Sequence, residues 1–451
     1  MIRAYVEQMD VPRLFPPLGP GTAAILLVTL LVTSSAPGRL AAQAPAPPPA
    51  GQRPLDLQAA VAAARATGPL RRLIEARRQV GLGQVRESTQ WANPTLEWRR
   101  ENLGSPLQPD IFATLYLPFD VSGRRLALRQ AASAGRERVS ADAANDVREG
   151  ELQVARAWLR AAVAEGALAV AAQQFEALRD IARIDAERLR EGLVSEAVGL
   201  RTSLEADRAR LALVSARNEA AVARAELARL VGLPEGSAPA TAELTAPALP
   251  AAPDTALALV TAVERRPDVL ARDAAVREAQ RRLAAEQRGT FGEVQLQGGT
   301  KETGGFMTGQ IGLAMPMPVF NRNDGARQRA TGQLNEARVL RDDVRRAVRQ
   351  GVLNALAHYR EVQSAARDAA TFAARGREVA RIARLSYREG HVTLTELLDA
   401  ERAAAEAMLQ QLRWAADAWL TRLELERTLG ARLDADSPLD LPVLAPTPSG
   451  E

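Results

Sequence analysis

Tyr387-Arg388-Glu389-Gly390-His391-Val392-Thr393-Leu394-Thr395-Glu396-Leu397-Leu398-Asp399 joins two long segments rich in Ala, Leu and Arg through a tight turn. Glycine ends helices in the left-handed conformation at little steric cost, so Gly390 is the expected stop, and Thr393 or Thr395 the cap of the next helix. Glu396 and Asp399 then lie three residues apart on one face of the second helix, near its positive dipole end. The stretch reads as the tip of a helical hairpin carrying paired carboxylates.

The turn occurs a second time, 198 residues earlier, as Leu189-Arg190-Glu191-Gly192-Leu193-Val194-Ser195. At the same offset Pro69 matches Pro267, Val194 matches Val392, Leu227 matches Leu425 and Gly232 matches Gly430. An offset kept along the chain marks an internal duplication. Val198 and Arg201 stand where Glu396 and Asp399 do, so the acidic pair belongs to the second half alone.

Working outward, each half repeats one order of elements. The first repeat, 55–233, opens with helix broken at Gly68-Pro69, where proline suits a first helical position. Alternating and β-rich segments then predict a hairpin over 93–119, followed by a long helix 124–189, the tip 190–195 and a returning helix 195–232. A Pro/Ala linker, 234–253, leads to the second repeat, 254–433, with hairpin 291–318, long helix 325–388, tip 389–394 and returning helix 395–430. A tail, 434–451, closes the chain. No proline occurs from Phe119 to Leu233 or from Val319 to Ser437, although the chain has 27. Apolar positions recur at helical spacing, as in Leu152, Ala155, Leu159 and Ala162. At about 1.5 Å per residue the long helices reach on the order of 100 Å and call for coiled-coil packing, which alanine favours by letting helices approach closely. The fold class is mainly α with a small β part.

Composition narrows the function. The chain has 58 Lys and Arg against 54 Asp and Glu, and Lys301 is the only lysine. Arg alternates with acids along the helices, which reads as solvated faces and argues against nucleic acid as a partner. The absence of cysteine excludes disulfides, thiol catalysis, Cys metal sites and a lipid-bearing N-terminal cysteine. Ala23 to Val32 is an apolar run of ten residues, too short to span a bilayer and suited to a signal-peptide core. The reading is a signal peptide over 1–42, with Met9 an alternative start, then an unstructured Pro/Ala lead over 43–54.

Two isolated hairpins leave strand edges unpaired, and a sheet within a membrane must close. Three chains would supply twelve strands around a lumen with their helices forming a tube. Leu96 and Trp98, or Ile311 and Leu313, then face lipid, while Glu97, Arg99 and Gln310 face water.

This order of elements resembles the TolC-like outer-membrane efflux factors of Gram-negative bacteria. The resemblance is carried by Asn93-Pro94-x-Leu96, the junction Met315-Pro316-Met317-Pro318-Val319-Phe320-Asn321-Arg322-Asn323-Asp324-Gly325, the paired tips, and Glu396-x-x-Asp399. The junction and Gly123-Arg124-Arg125 look most like the CzcC-like branch associated with heavy-metal efflux. The family implies a homotrimeric passive duct: a 12-stranded barrel through the outer membrane on a helical tunnel across the periplasm. It works with a periplasmic adaptor and an inner-membrane pump of the RND type, exporting small solutes such as metal cations or drugs. Tyr387, Glu396 and Asp399 fall where members carry residues constricting the periplasmic entrance, and Val392 where some carry a basic partner. Gly192, Val194, Gly390 and Val392 are then the points where adaptor hairpins dock.

Nothing in the sequence assembles a catalytic set. His358 and His391 are the only histidines and lie far apart, so no metal site or cofactor is expected. Met315 and Met317 read as packing at the barrel end rather than as metal ligands. Gly298-Gly299 and Gly304-Gly305 lack the Lys-Ser/Thr of a phosphate loop. The competing readings are a soluble structural coiled-coil protein, and the outer-membrane duct of a type I secretion system.

Overall fold

Two helices are the longest elements among the described residues. In the computed structural model, which describes residues 54–101, 109–291 and 293–442, helix α3 runs Arg124–Arg190 and α7 runs Asp324–Arg388. Each starts after a residue in the left-handed region, Gly123 at φ 73° and Asn323 at φ 65°. Asn323 is the one non-glycine at positive φ among the described residues, and its side-chain amide donates to the Glu286 carbonyl at 2.8 Å. The expected signal peptide, most of the Pro/Ala lead and residues 443–451 lie outside the described residues. Among the described residues no helix is long and apolar enough to cross a membrane.

Shorter helices complete each repeat. Helix α1 (Leu57–Thr67), capped by Asp56, is followed by α2 (Pro69–Glu87), and α4 (Glu196–Val231) returns along α3. In the second repeat α5 (Thr255–Arg265), capped by Asp254, precedes α6 (Pro267–Arg288), and α8 (Leu394–Leu429) returns along α7. The end of α4 meets the break between α1 and α2: a Cβ on Gly232 would lie 2.9 Å from the Gly68 Cα. Gly430 at the end of α8 meets Arg265 and Arg266 in the same way, so a short helix prolongs each returning helix along its long partner. Helix α6 packs on α3 as well as on α7, which binds the two repeats side by side.

That contact changes the reading of the strands. The hairpins β1 (Thr95–Glu101) with β2 (Asp110–Phe119), and β3 (Val294–Thr303) with β4 (Phe306–Ala314), are not isolated. β2 pairs with β3 from Ile111↔Glu302 to Phe119↔Val294, giving one antiparallel sheet in the order β1-β2-β3-β4. The cause is the α3–α6 packing, which brings the helix leaving β2 beside the helix entering β3. Among the described residues the outer edges of β1 and β4 have no partner strand.

The register sorts the sheet into two faces. Leu96, Trp98, Leu115, Leu117, Leu296, Ile311 and Leu313 share one, and Glu97, Arg99, Tyr116, Gln297, Lys301 and Gln310 the other. Ile311 is 84% exposed and Trp98 65%. Such an apolar face, uncovered by any element among the described residues, does not belong against water.

The core lies midway along the helices. Leu152, Trp158, Leu227 and Leu423 pack with α1, and the Trp158 indole donates to the Leu55 carbonyl at 2.7 Å. The linker after α4 is fixed there through Leu55, whose N–H donates to Ala240 at 2.8 Å and whose carbonyl accepts from Ala242 at 3.0 Å. The segment following α8 is held by charge: buried Arg422 pairs with Asp434, and the buried Glu426 carboxylate accepts from the Ser437 hydroxyl and from Leu433 N–H. Burial pushes the Glu426 carboxyl above the usual range, against the pull of those bonds.

Candidate functional site

At the ends of α3 and α7 furthest from the sheet, the two turns are built alike. Gly192 and Gly390 take φ 74° and 79°, and the Leu193 and His391 N–H groups reach back to Arg188 and Ser386 carbonyls at 2.8 Å. Both are Schellman ends, which glycine alone closes without strain. A Cβ at either glycine would meet nothing within 4 Å, so the turns are open to an approaching surface. The valines are less exposed than expected. Val194 and Val392 are half-buried, and Val392 packs on the cluster of Leu178 and Ile181 from α3 with Leu394, Leu397 and Leu398 from the start of α8.

The carboxylates also separate. Thr393 caps α8, so the helix starts at Leu394 and Glu396 becomes its third residue. The Glu396 carboxylate turns back to accept from Thr393 N–H at 2.7 Å while the Thr393 hydroxyl accepts from Glu396 N–H at 3.3 Å, a complete capping box. These bonds, from Thr393 backbone first and hydroxyl second, hold the Glu396 carboxyl below its ordinary range. Asp399 points along the helix, exposed, 3.9 Å from Arg402. The two acids are therefore not a joined pair in one chain.

Tyr387 does more than the sequence suggested. It is buried, and its hydroxyl donates to both oxygens of Asp185 on α3, at 2.9 and 2.8 Å. Asp185 is fully buried, with the Arg188 guanidinium 3.9 Å away and lying over the Tyr387 ring at 5.5 Å. Arg188 also donates to the Arg388 carbonyl at 2.8 Å. Burial first, and the bond to Asp185 second, raise the phenol far above its ordinary value, so it remains a donor at any physiological pH. A second tie joins the returning helices: Arg402 on α8 reaches Glu205 on α4 at 3.0 Å. The sequence reading missed Asp185, Arg188, Glu205 and Arg402. Asp185 was findable, since it continues the stripe of Leu178 and Ile181 at helical spacing, an acid on a buried face.

Among the described residues no cluster of His, Cys, Asp or Glu is placed to hold a metal ion. The site fastens one helical hairpin to another at an exposed end, and its chemistry is that of a latch.

Residues 258–431, almost the whole second repeat, match the family described as Outer membrane efflux protein. Over that stretch, less than half of the chain, the protein is similar to the outer membrane efflux proteins. No curated protein matches it in sequence. Among solved structures, the fold is similar to VceC of Vibrio cholerae, with TM-score 0.70 and 17% identity over 84% of this chain and 97% of that one. The Neisseria gonorrhoeae MtrE channel in its open state gives 0.69 and 20%, over 84% and 90%. Campylobacter jejuni CmeC gives 0.72 and 14%, over 83% and 85%. At 20% identity or less these neighbours show the fold: a four-stranded sheet at one end of long paired helices.

Proposed function

We propose that three copies of this chain form the passive exit duct of a tripartite system, taking small solutes from a periplasmic adaptor and an inner-membrane pump of the RND type. The observation that carries the reading is the two-faced sheet with two free edges. Four strands cannot close, whereas β4 of one copy against β1 of the next gives twelve strands, an apolar outside for lipid and a polar lumen. Symmetric repetition also satisfies every edge N–H and C=O within the membrane.

In this reading the bond between Tyr387 and Asp185 holds the entrance narrow, while Asp399 and Glu396 supply six carboxylates around the axis of the trimer. The turns at Gly192 and Gly390, with Val194 and Val392 beneath them, receive the adaptor. The junction Met315 to Gly325 favours the heavy-metal branch, so metal cations are the substrate class we assign. Membrane fractionation with cross-linking tests the duct: a trimer in the outer membrane is expected, and a soluble monomer would overturn it. Loss of metal tolerance on deletion, with drug tolerance unchanged, tests the substrate.

A further inference from the structure

The polar face of the sheet carries a row that the duct reading leaves unused. The register sets Arg99 opposite Phe112, Phe112 opposite Lys301 and Lys301 opposite Thr308, one residue from each strand at a single level. Both cations lie over the same ring, the Arg99 guanidinium 4.8 Å and the Lys301 ammonium 5.0 Å from the Phe112 centroid. An aromatic ring attracts cations to its faces, so Phe112 holds two like charges at one height that would otherwise turn apart.

The neighbouring acids do not neutralise both. On this face Glu101 pairs with Arg99 at 3.2 Å, and Glu97 accepts from the Tyr116 hydroxyl at 2.7 Å. Asp110 stands opposite Glu101 at the end of the sheet. Among the described residues no carboxylate comes within 4.0 Å of the Lys301 ammonium, and residues 102–108 contain no ionisable side chain. Lys301 is also the chain's single lysine, in a protein that otherwise uses arginine for every strong cation. The ammonium is a compact charge with three donors on a flexible stem, suited to an anion that is passing rather than fixed.

We propose that Lys301, seated on Phe112 beside Arg99, forms an anion-binding ring inside the barrel and that small multivalent anions are held there. The inference rests on the reading that three copies close the sheet with this face inward. Three Lys301 and three Arg99 then surround the lumen at one level, where low-dielectric walls strengthen their field. The two ends of the duct carry opposite charge, acids at the tips and cations in the barrel.

Inorganic pyrophosphate is the probe. Purified full-length protein in planar bilayers should show current that pyrophosphate, added on the barrel side, blocks in a concentration-dependent way. Lys301→Gln should raise the half-blocking concentration on the order of tenfold, the size expected for removing one nearby charge from each chain at intermediate dielectric. Lys301→Arg should restore block, and Arg99→Gln should shift it less, since Arg99 is already paired. Conducting channels that are insensitive to pyrophosphate, or equally blocked in wild type and Lys301→Gln, would overturn the ring. Wild-type protein that forms no channels would overturn the barrel reading instead.

Discussion

The Tyr387 hydroxyl and the Asp185 carboxylate, 202 residues apart, meet in a buried hydrogen bond that ties the second repeat to the first at the tip. Neither has its counterpart in the other half, since position 189 is Leu and position 383 is Ala at the duplication offset. The latch is thus a departure from the repeat, placed where α3 and α7 end.

Replacing Tyr387 with Phe removes the donor and leaves the Asp185 charge buried with only Arg188 nearby. A hydrogen bond to a charged group contributes about 1.5–3 kcal/mol, so the tip should loosen and single-channel conductance rise. Asp185→Asn, which keeps an acceptor for the phenol, should have the smaller effect. The sign of the pH dependence follows from the raised phenol: its contribution is complete below the ordinary tyrosine value near 10 and is lost as pH rises through the folded value. Conductance that is unchanged by Tyr387→Phe would separate the bond from gating.

Glu396 offers a different dependence. Its carboxyl lies below the ordinary value of 4.5, so its capping contribution is present above that value and lost as pH falls through the folded one. Glu396→Gln keeps the capping geometry without the charge and should lower thermal stability slightly at neutral pH and remove this acid dependence, whereas Glu396→Ala should lower stability further. The double variant Glu396→Gln, Asp399→Asn should reduce cation preference without dissociating trimers. Reversal potentials under a salt gradient read the difference, and an unchanged potential would leave Glu396 its cap alone.

The helices were legible because proline-free stretches with apolar residues at helical spacing permit little else, and the tips because Gly192 and Gly390 close both turns. The capping box was written in the sequence as Thr393-x-x-Glu396, but the charge of Glu396 drew the reading towards a pair with Asp399. What stayed hidden was contact between repeats. Pairing of β2 with β3 depends on α6 lying against α3, and the Tyr387–Asp185 bond on two separate helices ending at one height. Neither leaves a local period in the sequence.

The β2–β3 seam yields a test that leaves the helices alone. A Cβ at Gly299 would fall 2.1 Å from the Ala113 carbonyl oxygen and 2.8 Å from the Thr114 Cα, both backbone atoms that cannot move without parting the strands. Overpacking of this kind costs about 1–3 kcal/mol, and more where backbone must shift. Gly299→Val should therefore cut the yield of outer-membrane trimer while circular dichroism retains the helical signal. Normal trimer yield would mean that the seam can open to admit a side chain.

The tips separate docking from folding by the choice of substitution. Gly192 and Gly390 sit in the left-handed region with open space beyond, so a side chain there meets strain in the backbone but no clash. Asparagine tolerates this conformation better than other side chains, whereas leucine pays the full strain of about 1–2 kcal/mol. If the turns only end helices, Gly→Asn at both sites should behave as wild type and Gly→Leu should merely lower thermal stability. If they receive an adaptor, even the well-tolerated Asn places a polar side chain in the contact, and both variants should lose adaptor cross-linking and efflux while trimers remain intact. The chain has no cysteine, so a single cysteine at Ser195 or at His391 reports that contact without background. Equal cross-linking in wild type and in both double variants would remove the tips from the docking surface.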